Sequence, residues 1–160
     1  MRAPLLGLGL TLVAATTAFA PPAALKWPPW LSIEAPANPF DPATRGAVML
    51  VHGMTHDGVV KVSDLSGSAE GIEDGRRRSI PLRFEATPRS GVFALQRQWP
   101  EEGTWLIRIT LARTTAIVTL DSLDNVASVR VPTDLVRGQP IPRAVGAGEI
   151  DSTLALSARP

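Results

Sequence analysis

The stretch Thr104–Leu111, TWLIRITL, decides the fold class. Trp105, Ile107, Ile109 and Leu111 alternate with Leu106, Arg108 and Thr110. A period of two puts the alternating sets on opposite faces of an extended chain, so this pattern predicts a strand with one buried face. Residues 79–85 repeat the texture, with Ile80, Leu82 and Phe84 on one face and Pro81, Arg83 and Glu85 on the other. Pro81 lacks an amide donor, which places that strand at an edge or a bulge. Shorter apolar stretches at 47–52, 59–62, 92–98, 116–120 and 127–131 are separated by Gly, Pro, Asp and Asn. Asp74-Gly75 and Asp124-Asn125 have the composition of turns. No strand–helix alternation and no fixed-period repeat interrupts this order. The expectation is an all-β, antiparallel fold of seven or eight short strands over residues 46–136, either a sandwich or a barrel.

The flanks have a different character. Residues 21–45 form a proline-rich segment with prolines at 21, 22, 28, 29, 36, 39 and 42. Proline fixes φ and removes a donor, so the segment is expected to be extended, neither helix nor central strand. One strand is added within it at residues 30–34, where Leu31 and Ile33 alternate with Ser32 and Glu34. Trp27 and Trp30 flank Pro28-Pro29, and they read either as a cover over one end of the core or as an exposed aromatic platform. Residues 137–160 read as an irregular tail. A short helix is expected at 149–159, with Ile150 and Leu154 one turn apart, provided it packs on something.

The run from Gly91 to Thr110, GVFALQRQWPEEGTWLIRIT, carries a resemblance. A Gly-aromatic strand, then Pro, then Gly-x-Trp opening an alternating strand, resembles small exported bacterial immunoglobulin-like domains of the YtkA-like and FixH-like group. Those domains are distantly similar in architecture to CopC-type copper-binding sandwiches. The resemblance covers about 20 of 160 residues and implies a single immunoglobulin-like antiparallel β-sandwich. None of the copper-binding histidines of the CopC-type sandwiches maps onto this chain, so the resemblance supplies no metal ligand.

Residues 1–20, MRAPLLGLGLTLVAATTAFA, place Arg2 before an apolar run and end in Ala18-Phe19-Ala20. That is the layout of a signal peptide, and the apolar run is shorter than the roughly 20 residues of a membrane span. Cleavage is expected after Ala18 or Ala20, which makes the protein periplasmic or secreted with no stable membrane span. With no cysteine in the chain, the exported domain depends on its apolar core. Removing Arg2 leaves 15 basic and 15 acidic residues. A neutral chain of this kind lacks the basic excess of a nucleic-acid binder.

Both histidines lie in Val51–Gly58, VHGMTHDG. His52, Met54 and His56 have period-two spacing, and imidazole and thioether are good copper ligands. On a straight strand the two histidines stand about 13 Å apart, so a common site needs a bend, which Gly53 is placed to supply. The competing reading is a strand end running into a polar loop. Arg76-Arg77-Arg78, with Glu73 and Asp74 beside it, reads as a solvated hairpin tip. The stretch 121–125, DSLDN, lacks a calcium-loop pattern. There is no cysteine nucleophile, no G-x-S-x-G elbow and no phosphate-cradling glycine loop. Glu101-Glu102 sits beside Gly103 as a turn. These residues point to an exported, non-catalytic binding or accessory module with no resident cofactor. Its partner would be a protein or small ligand outside the cytoplasm. Copper handling through His52, Met54 and His56 is the alternative.

Overall fold

The computed structural model describes residues 27–56, 58–73 and 75–157. The expected signal peptide and residues 21–26 lie outside the described residues. Two antiparallel sheets face each other. One has four strands in the order β1 (Trp30–Glu34), β2 (Ala47–Met54), β6 (Val92–Gln96) and β5 (Glu85–Ala86). The other has five, in the order β4 (Arg76–Pro81), β3 (Leu65–Glu73), β7 (Thr104–Leu111), β8 (Thr114–Leu120) and β9 (Val126–Arg130). A separate hairpin, β10 (Thr133–Val136) with β11 (Gln139–Pro142), follows. One helix, α1 (Ala147–Ser157), ends the described chain. The fold is an all-β sandwich with nine strands in its two sheets, against the seven or eight expected.

The core fills the space between the sheets. Leu31, Met49, Val51, Phe93 and Leu95 from the first sheet meet Ala69, Trp105, Ile107, Ile109 and Val118 from the second. The alternation in β7 points Trp105, Ile107, Ile109 and Leu111 into this core, as its period requires. Leu106, on the opposite face, is also fully buried. It belongs to a second apolar layer in which Ile150 and Leu154 of α1, with Val145, cover Leu106 and Ile117 on the outside of the five-stranded sheet. The helix thus has the packing partner that so short an element needs.

The pattern over 79–85 keeps its phase but not its continuity. Leu82 is buried, Ile80 and Phe84 pack against the core, and Pro81, Arg83 and Glu85 are exposed. The chain leaves the second sheet after Pro81 and joins the first at Glu85, where it pairs with Ala94. Alternation reports which residues face inward and carries no information about which sheet they line. The basic triplet, expected at a hairpin tip, lies within β4, with the turn one step earlier at Gly75 (φ 72°). Residues 59–62, expected as a strand, run through an irregular stretch into a 3-10 turn at Val62–Asp64.

The central strand β3, LSGSAEGIE, is built from residues with low strand propensity. Its neighbours explain them. A Cβ on Gly71 would lie 2.3 Å from the Trp105 ring, and one on Gly67 would lie 2.8 Å from the Phe84 ring. Small residues here are seats for large rings.

Candidate functional site

The candidate site is a groove of about 670 Å³ at one end of the sandwich. Its walls are the N-terminal Trp27-Pro28-Pro29-Trp30, the end of β2 with Met54 and His56, and Val131, Thr133, Pro140 and Pro142 around the β10–β11 hairpin. The N-terminal wall is fastened by the Thr114 hydroxyl, which donates to the Pro29 carbonyl at 2.6 Å. The β1–β2 register sets Trp30 directly opposite Met54. Both are on the outward phase, because Leu31 and Val51 point into the core. Directly opposed side chains on one face are in contact range, so thioether and indole form a single apolar wall. Trp27 is 53%, Trp30 66% and Met54 53% exposed. The paired tryptophans are therefore half exposed along the groove, next to the buried Leu31 and Thr114. Trp99 and Trp105 are buried instead.

The indole N–H groups divide the same way. Trp105 Nε1 donates to the Glu102 carbonyl at 2.8 Å and Trp99 Nε1 to Asp124 Oδ1 at 3.3 Å. Among the described residues, neither Trp27 nor Trp30 has a hydrogen-bond acceptor. No Asp, Glu, Lys or Arg lines the groove among the described residues.

The three residues expected as metal ligands are split by this geometry. β2 runs straight through Gly53, which is buried because Val60 packs over it: a Cβ there would lie 2.9 Å from Val60 Cγ1. The chain reverses later, at the Thr55–Gly58 bridge, and His56 sits in that turn. Met54 and His56 share the groove, and His52 does not line it. The His52 Nε2 lies 2.9 Å from Glu34 Oε2 on the outward face of the first sheet, and Arg89 reaches the same carboxylate at 3.4 Å. The bend that would gather the ligands is thus at 55–58, beyond the residue placed to make it. Among the described residues no three His, Asp or Glu side chains form a metal-binding group.

A second depression, about 460 Å³, lies at the opposite end of β2, lined by residues that include Ala35, Val48, Arg97 and Asp124. Its charges satisfy one another: Arg97 meets Asp124 at 2.8 Å and bonds the Trp99 and Pro100 carbonyls. Glu101 and Glu102 are exposed in a turn. No protein-family model, curated protein or solved structure matches the chain.

Two carboxylates outside the groove give the protein a pH dependence. The hydrogen bond from His52, with help from Arg89, holds Glu34 below the usual glutamate range. Glu149, in the first turn of α1, is held down chiefly by its hydrogen bond to Arg143 at 2.9 Å, with Arg130 also paired to it. A group whose folded pKa is depressed contributes stability above its unfolded value and loses it as pH falls through the folded one. Thermal unfolding should therefore move to lower temperature as pH drops below about 4.5. Glu149→Gln should flatten that acid limb. An unchanged limb in the variant would show that the Arg143–Glu149 pair is not coupled to folding.

Proposed function

We propose that this protein is an exported, non-catalytic binding module of immunoglobulin-like topology that takes an uncharged, largely apolar ligand in the groove between Trp27, Trp30 and the β10–β11 hairpin. The topology is supported by strand order. The order β1-β2-β6-β5 facing β4-β3-β7-β8 corresponds to the A-B-E-D and C′-C-F-G sheets of that fold, with β9 added beyond the last strand. Export is supported by Arg2 and the apolar run that ends in Ala18-Phe19-Ala20. The described residues contain no helix long and apolar enough to cross a membrane.

The observation that carries the binding reading is the wall of half-exposed Trp27, Trp30 and Met54 in a groove of small-molecule volume. Exposed apolar surface gathered in one concave place marks interaction sites. The absence of catalysis is supported by the residues available. One of the two histidines is bonded to Glu34, and the adjacent glutamates sit in an exposed turn. The test is an environment-sensitive apolar dye. It should bind saturably, and Trp30→Ala should weaken it about tenfold. Binding unaffected by that substitution would remove the groove as the site.

A second reading, copper handling, is favoured by one observation: Met54 and His56 line the same groove. Thioether favours Cu(I), and His52 would have to leave Glu34 to join them. Titration with Cu(I) decides it. One ion bound tighter than micromolar, and lost on substitution of His52 and His56 to Ala, establishes copper handling.

A further inference from the structure

We infer that the groove recognises a proline-rich segment of a partner protein in the polyproline II conformation, an inference that rests on the groove being the binding site. The first support is the spacing of the rings. Trp27 and Trp30 are three residues apart and separated only by Pro28-Pro29, whose φ values are fixed near −65°. A polyproline II segment has three residues per turn and rises about 3.1 Å per residue. Residues i and i+3 therefore share a side, about 9 Å apart. The two indoles do line one groove. A polyproline II ligand presents every third residue to one side at about that interval, so its successive prolines are offered to the two rings that line one wall.

Hydrogen bonding is the second support. A polyproline helix has no internal hydrogen bonds and its carbonyls need donors. Among the described residues, the indole N–H groups of Trp27 and Trp30 have no acceptor, whereas those of Trp99 and Trp105 are both used. Prolines bring no N–H of their own. Charge agrees as well: no Asp, Glu, Lys or Arg side chain lines the groove among the described residues, so the wall offers a charged ligand no fixed counter-charge. A glycan would also stack on indoles. It also needs partners for many hydroxyls, and most of the side chains that line this groove are Trp, Pro, Leu, Met and Val. Aromatic-lined grooves that take preformed polyproline helices are an established recognition mode.

The test titrates the purified protein with a capped oligoproline, followed by calorimetry and by acrylamide quenching of tryptophan. The expected result is saturable binding that shields the exposed tryptophans, with a capped Gly-Ser peptide of equal length inert. Trp30→Ala and Met54→Glu should each weaken binding about tenfold or more. Leu123→Ser, at the other end of the sandwich, should leave it unchanged. If the apolar dye occupies the groove and oligoproline does not, the ligand class is wrong and the groove stands. If neither binds, both readings fall. Tighter binding of an uncharged oligosaccharide overturns the inference in favour of a glycan. Two further results overturn the partner by naming another occupant. One is oligoproline binding that appears only after Pro21 and Pro22 are changed to Ser, which assigns the groove to this chain. The other is concentration-dependent dimerisation lost in Trp30→Ala, which assigns it to a second copy.

Discussion

Trp105→Ala should lower the stability of the protein by about 3–5 kcal/mol, the usual cost of emptying a buried tryptophan site. Trp105 is 4% exposed and lies in the main core. Its ring rests on Gly71, and its indole N–H donates to the Glu102 carbonyl. The cavity cannot close easily. Gly71 has no side chain to move into it, and the surrounding β3 and β7 backbones are locked by their shared ladder. Urea denaturation reads the effect as a fall in midpoint with an unchanged slope. A loss below about 1 kcal/mol would show that the ring does not fill the core in solution.

The second large effect concerns a charge. Glu70 on β3 is 4% exposed, and its carboxylate is bonded by Ser68 and Ser79 and paired with Arg77 at 3.2 Å and Arg108 at 3.7 Å. Arg77 also reaches Asp151 of α1 at 3.1 Å. The carboxylate therefore joins β4, β3 and β7 and, through Arg77, the helix. Removing both cations strands a buried anion, and breaking buried pairs in this way costs about 3–5 kcal/mol. Arg77→Ala with Arg108→Ala should show a loss of that size, and adding Glu70→Gln to the double variant should recover much of it. Failure of the third substitution to recover stability would mean that the loss comes from packing and not from the stranded charge. Arg108 also shows where the alternating pattern misleads. On periodicity alone its face belongs to solvent, where truncation costs under about 0.5 kcal/mol. With Glu70 behind it and Ser68 Oγ 3.2 Å from its Nε, Arg108→Ala alone should cost more than that.

The two-residue period made β7 and the inward set Ile80, Leu82 and Phe84 legible, because burial on one face is a local property of the sequence. What is written in tertiary neighbours was not legible. β3 is hidden because its glycines answer to Trp105 and Phe84, rings that are distant in sequence. The β10–β11 hairpin falls where the chain reads as leaving the sandwich for an irregular tail. Its signal was Arg137-Gly138, both at positive φ, as a tight two-residue hairpin turn requires. The helix was legible from Ile150 and Leu154, and its partner was not, because Leu106 and Ile117 look like surface positions of half-buried strands. Of the site, Met54, His56 and the tryptophans were singled out by residue type. Their convergence was hidden, since it depends on the β1–β2 register and on a hairpin that follows more than seventy residues after Met54.

The groove is tested most directly by the four indole N–H resonances of the protein, one for each tryptophan, followed as oligoproline is added. The expected result is that the Trp27 and Trp30 signals move together and saturate, while those of Trp99 and Trp105, bonded inside the protein, stay in place. Four unmoved signals, or four that move alike, would contradict a binding groove built on Trp27 and Trp30.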